Sequence, residues 1–126
     1  MNRIIIADDS GTARMFTRRC LEVLGYKDIE TIECENGAEA LQLLRESPTD
    51  LLITDLTMPI MDGTVLVKTV GENDSIEVKR IIVVTSAGNP AKEEELARYG
   101  ASIISKPISP AKLAAVLSSE QPDTWE

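Results

Sequence analysis

Residues 51–63 read Leu51-Leu52-Ile53-Thr54-Asp55-Leu56-Thr57-Met58-Pro59-Ile60-Met61-Asp62-Gly63: an apolar run, a carboxylate, then a turn-rich stretch. Open α/β sheets meet their ligands at the carboxyl ends of their strands, so Asp55 stands where chemistry is exposed rather than packed away. The first apolar run, Ile4-Ile5-Ile6-Ala7, ends the same way, on Asp8 and Asp9. Two strand ends carrying three acids point to a cation or a phosphoryl group.

Working outward from these runs, strand-like and helix-like patterns alternate. The predicted strands are Arg3–Ala7, Ile29–Glu33, Leu51–Thr54, Arg80–Thr85 and Ile103–Ser105. Three are continuous apolar runs, as suits parallel strands covered on both faces. A first helix carries Ala13, Phe16, Cys20, Val23 and Leu24 at helical spacing and stops at Gly25. A second, over Gly37–Glu46 with Ala40, Leu41 and Leu44, ends before Ser47-Pro48. A third starts near Gly63 with Leu66 and Val70. The fourth, near Ala91–Tyr99, is thinly apolar and ends at Gly100. The fifth opens on Pro110, a favoured first helical position, with Leu113, Val116 and Leu117 on one face. Five βα units with short connections predict an α/β fold: a doubly wound, five-stranded parallel sheet with right-handed crossovers. The expected division is one domain over 1–118 and a polar tail over 119–126, with no output module; Trp125, in that tail, carries no message.

Bulk composition narrows the function. With 126 residues the chain can bury a real core in one domain. Aromatics are only 3%, so that core must rest on Ile, Val, Leu and Ala. A net charge of −8 argues against binding nucleic acid, which is largely phosphate neutralisation. No run approaches the roughly 18 apolar residues of a membrane span and no signal-peptide pattern opens the chain, so the expected location is cytoplasmic, away from membranes. Without histidine, His-based triads and most zinc sites are excluded. Cys20 and Cys34 lack metal-type spacing, and Cys20 falls on the apolar side of its helix, as a buried free thiol would.

Parallel strands bring their carboxyl ends to one edge. That edge would gather Asp8 and Asp9, Asp55, Thr85 with Ser86, and Lys106. Two carboxylates about 5 Å apart repel by roughly 3 kcal/mol at an effective dielectric near 20. Three together need a bridging cation or a raised pKa. Hard oxygen ligands without Cys or His favour Mg²⁺ over zinc or copper. Such a site can bring a phosphoryl donor beside an aspartate nucleophile, with Lys106 neutralising charge and Thr85 donating to a phosphoryl oxygen.

On these residues the chain resembles the receiver domain of bacterial two-component response regulators, of the stand-alone CheY-like type. The resemblance rests on Ile4–Asp9 followed by Ser10, on residues 55–63, on Val83-Val84-Thr85-Ser86-Ala87, and on Lys106-Pro107, in the right order and spacing over nearly the whole chain. It implies a flavodoxin-like sheet of order 2-1-3-4-5. It further implies Asp55 as phosphoacceptor, Mg²⁺ held by Asp9, Asp55 and the backbone carbonyl of Thr57, and Asp8 acting through a metal-bound water. Thr85 and Lys106 would contact the phosphoryl group, with the bond before Pro107 cis. The implied partners are a sensor histidine kinase or histidine phosphotransfer protein, and a downstream protein at the face of helix 4, strand 5 and helix 5. Direct DNA binding is not expected. The output could be chemotaxis or motility, a phosphate sink, or a relay intermediate.

Several residues have simpler readings. Asp62-Gly63 and Asn36-Gly37 read as turns feeding helices. Arg14, Arg18 and Arg19 read as a solvated helix face, although that helix meets the phosphodonor in the family. The chain departs from many receivers at Ile103, three before the lysine, where an aromatic usually swings inward on activation. Tyr99 is the one nearby aromatic that could serve that face. The lifetime-tuning positions are Thr57 and Ala87, which offer no charge to orient water, implying slow to moderate self-dephosphorylation. A phosphatase of haloacid-dehalogenase type is the competing enzyme reading, but it needs an acid where Thr57 stands. An interaction module that is never phosphorylated is disfavoured by the intact set of acids, hydroxyl and lysine.

Overall fold

Ten elements alternate along the chain: β1 (Arg3–Ala7), α1 (Gly11–Val23), β2 (Glu30–Cys34), α2 (Gly37–Glu46), β3 (Thr49–Asp55), α3 (Gly63–Gly71), β4 (Val78–Thr85), α4 (Pro90–Arg98), β5 (Ala101–Ser105) and α5 (Pro110–Leu117). They come from a computed structural model that describes residues 1–86 and 89–118. Ala87 and the tail 119–126, with Trp125, lie outside the described residues. All strand pairings are parallel, in the order β2-β1-β3-β4-β5. This is the predicted doubly wound, flavodoxin-like sheet.

Strand alternation sorts the core into two layers. Ile5, Ala7, Leu52, Ile81 and Val83 face one way, beneath α2, α3 and α4. Ile4, Ile6, Leu51, Ile53, Ile82, Val84 and Ile104 face the other way, beneath α1 and α5. Fully burying each such side chain contributes about 1.5–3 kcal/mol. All five helices start on a side-chain cap, Ser10, Asn36, Asp62, Asn89 and Ser109, each accepting from the backbone amide three residues on. Asn36 and Asp62 are therefore the turn-to-helix residues their sequence suggested.

Some boundaries and faces differ from expectation. β2 runs one residue later than predicted, and β3, β4 and β5 begin earlier. Pairing continues through polar residues, Thr49 with Val78 for example, because the ladder bonds belong to the backbone. On α1 the buried face is Thr17, Cys20 and Leu21, whereas Phe16 and Val23 are exposed. The expected apolar stripe therefore differs from the buried face at two of its members. Cys20 and Cys34 are both buried free thiols. Arg14 and Arg18 do not form a solvated face: both pair with Glu33.

The loop after β3 holds a strained turn. Ile60 has φ 69°, and the Met61 amide donates to the Pro59 carbonyl across it at 2.7 Å. An i→i+2 bond over a left-handed residue is a strained γ-turn, and a β-branched side chain makes it worse. Ile60 is also 84% exposed, so little packing offsets the strain. Ile60→Gly is expected to raise the unfolding free energy by about 1 kcal/mol in a urea titration, strain relief exceeding the added entropy of the unfolded chain. A lower unfolding free energy contradicts this account of the loop.

Candidate functional site

β1 and β3 are adjacent, so their carboxyl ends bring Asp8, Asp9 and Asp55 together. One oxygen from each carboxylate lies within 4.8 Å of the others. The three differ in setting: Asp55 is buried at 8% exposure, Asp8 is half-buried and Asp9 is exposed. From the end of β5, Lys106 places its Nζ 3.3 Å from both oxygens of Asp55. The Lys106–Pro107 bond is cis. The Leu56 amide donates to Asp55 Oδ1 at 2.8 Å, so this carboxylate is held from two sides.

The Asp55 backbone is fixed as tightly. The Thr54 hydroxyl donates to the Asp55 carbonyl at 2.8 Å. Gly63, read from sequence only as part of a turn, packs against the same carbonyl: a Cβ there would fall 2.2 Å from it. A side chain at 63 would displace the end of β3, and the signal for this was the glycine directly after the helix cap. Thr85 stands at the neighbouring strand end, where its hydroxyl donates to the Ser86 carbonyl at 3.2 Å. Its backbone carbonyl accepts from the Lys106 amide at 2.9 Å. Thr57 is exposed in the loop after Asp55. The structure thus brings the three acids and the lysine together, with Thr85 beside them and its hydroxyl turned to backbone.

A cavity of about 430 Å³ opens beside Asp55, with Ile6, Ile53, Val84 and Ile108 among its walls. Apolar walls remove water from one side of the acids. Burial accordingly raises the Asp8 pKa, and the charges of Asp55 and Asp9 push it the same way. The Ser10 amide and Lys106 offset this only in part. Three acidic oxygens with one of them pushed toward protonation is a donor set that fits a hard divalent cation.

The sequence profile of the response regulator receiver domain matches residues 4–118. The chain belongs to the response regulator receiver domain family. This receiver is 35% identical to chemotaxis protein CheY1 of Helicobacter pylori over 88% of its own length and 90% of that protein's. It is also 35% identical to response regulator receiver protein CpdR of Brucella abortus, covering 86% and 87%. Among solved structures, chemotaxis response regulator CheY4 of Vibrio cholerae matches with a TM-score of 0.78 and 29% identity, covering 93% and 96%. Receivers are signalling phosphoacceptors that take phosphoryl groups from histidine kinases and bind Mg²⁺ at an acidic pocket.

Ile103 is partly buried and packs on the layer under α2, α3 and α4. Tyr99 packs on the same layer. Its ring lies against Gly71 and its hydroxyl reaches Glu72 at 3.4 Å, at the end of α3 and at the sheet edge where β5 begins. Among the described residues, no helix is long and apolar enough to cross a membrane.

The electrostatics give a signed prediction for the metal-free protein. A folded pKa above the unfolded one means the folded form holds the Asp8 proton more tightly. That stabilisation is complete at low pH and lost as pH rises through the folded pKa. Asp8→Asn, always neutral, should therefore melt above wild type at neutral pH in chelator, and its advantage should shrink on acidification. A lower melting temperature for Asp8→Asn at neutral pH contradicts the repulsion described here.

Proposed function

We propose that this receiver accepts a phosphoryl group on Asp55 from a phosphohistidine donor and thereby switches the binding of a downstream protein. The observation that carries the proposal is the contact of Lys106 Nζ with both oxygens of Asp55 beside two further carboxylates. A buried nucleophile held by an ammonium and an amide is oriented before reaction, which lowers the entropic part of the barrier. An Asp55 oxygen attacks phosphorus, the new O–P bond forms as the P–N bond breaks, and the imidazole leaves with the electron pair. Lys106 then balances charge on the transferred group, and the Thr85 hydroxyl turns from the Ser86 carbonyl to a phosphoryl oxygen.

Asp9, Asp55 and the Thr57 carbonyl would hold Mg²⁺ directly, with Asp8 in support through water. When bound, Mg²⁺ supplies positive charge that offsets the repulsion among the acids and toward the incoming phosphoryl oxygens. Phosphatase chemistry at the same site finds no support, since the position two after Asp55 is Thr57 and carries no acid.

The phosphodonor is a sensor histidine kinase or a histidine phosphotransfer protein, docking over the site near α1. The downstream protein reads the face formed by α4, β5 and α5. With Ile103 already packed on the core, that readout proceeds by displacement of β5 and α4 and not by rotation of an aromatic ring. Chemotaxis names among the relatives support motility as the output. Incubation with acetyl phosphate should add one phosphoryl group by intact mass when Mg²⁺ is present, none in chelator, and none to Asp55→Asn. Equal uptake by Asp55→Asn, or uptake indifferent to Mg²⁺, overturns the proposal.

A further inference from the structure

Glu33 lies near the end of β2, the edge strand, and two guanidinium groups from α1 close on its carboxylate. Arg14 Nε meets Oε1 and Arg18 Nε meets Oε2, each at 3.0 Å. Partial burial acts to raise the Glu33 pKa, but the hydrogen bonds and charges of Arg14 and Arg18 hold it below the usual carboxylate range. The two arginines differ in their second contact. Arg18 Nη2 donates to the Thr31 carbonyl at 3.2 Å, within β2. Arg14 Nη1 donates to the Asp8 carbonyl at 2.6 Å. Arg14 is also the better enclosed, its side chain 15% exposed against 38% for Arg18.

The Asp8 carbonyl belongs to the peptide that joins Asp8 to Asp9. Because a peptide unit is planar, fixing its oxygen fixes the directions in which both residues leave it. The other restraints on this turn act at Asp8 alone: its amide donates to the Cys34 carbonyl at 3.1 Å, and its Oδ1 accepts from the Ser10 amide at 2.9 Å. Repulsion from Asp55 acts to push the turn outward. A guanidinium anchored on β2 resists that displacement from behind.

We propose that Arg14 is a positioning residue: gripped by Glu33 and bound to the Asp8 carbonyl, it sets the Asp8–Asp9 peptide so that both carboxylates are preorganised for a divalent cation. This rests on the reading that the cluster holds Mg²⁺. Arg14 touches neither the cation nor the phosphoryl group. Partners of this outer kind typically change metal affinity by about 10–100-fold.

Calorimetric titration with Mg²⁺ separates positioning from simple charge. Coulomb attraction alone predicts that removing a nearby positive charge tightens cation binding. Positioning predicts the opposite sign: Arg14→Ala weakens Mg²⁺ binding by about tenfold, toward the lower end of that range. Arg14→Lys recovers part of the loss, and saturating Mg²⁺ restores phosphorylation by acetyl phosphate. Arg18→Ala breaks the same ion-pair cluster without touching Asp8 and leaves the affinity at or above that of wild type. Unchanged or tighter binding by Arg14→Ala overturns the inference, as does equal weakening by Arg18→Ala. Should Arg14→Ala not fold, Arg14→Lys against Arg18→Lys decides, only the first weakening Mg²⁺. Wild type failing to bind Mg²⁺ overturns the underlying reading as well, whereas equal binding by wild type and Arg14→Ala overturns only the positioning role.

Discussion

The contact between Lys106 and Asp55 is the interaction on which the rest of the site depends. Three carboxylates at the ends of two adjacent strands repel one another, and within 4.8 Å that repulsion is a substantial fraction of a small domain's stability. Lys106, 3.3 Å from both Asp55 oxygens, supplies the compensating charge that lets Asp55 sit buried. A lysine can do this because its stem reaches in from a third strand while the side chain keeps 42% exposure. The charge remains responsive to whatever joins the cluster, since a cation or a phosphoryl group alters the balance at once.

The topology makes that contact possible. Order β2-β1-β3-β4-β5 puts the acids of β1 beside Asp55 of β3, while β5 stands two strands away and only a long side chain bridges the gap. Local devices then hold the geometry. The Leu56 amide and the Thr54 hydroxyl fix the side chain and the carbonyl of Asp55, and Gly63 lets α3 start against that carbonyl. Arg14 and Glu33 tie the opposite wall to the edge strand. These supports favour Asp55 over the exposed Asp9 and the half-buried Asp8 in the proposed role of nucleophile: its carboxylate is held by both an amide and the Lys106 ammonium.

Much of this was legible in the sequence. Continuous apolar runs ending on acids gave the parallel sheet and its chemical edge, because burial on both faces requires such runs. The bounds of α2 could be read from Asn36-Gly37 and Ser47-Pro48, whose local chemistry starts and stops helices. Contacts between distant residues were not legible. Nothing in the spacing of Arg14 reveals a partner nineteen residues away in Glu33, so an ion-paired clamp looked like a solvated face. Phe16 and Val23 extended the apolar stripe of α1 on paper but remain exposed. Thr85 could be placed at its strand end, while the direction of its hydroxyl depends on Ser86 backbone geometry. A left-handed Ile60 runs against every local preference and could only be seen in three dimensions.

The phosphoryl group must settle on one of the three carboxylates. Treating the phosphorylated protein with borohydride reduces an acyl phosphate to the alcohol and releases phosphate, converting the modified aspartate to homoserine, which peptide sequencing then locates. Homoserine at position 55 alone is the predicted result. Homoserine at position 8 or 9 would contradict it, since a buried, lysine-paired Asp55 would then be a structural residue and not the acceptor.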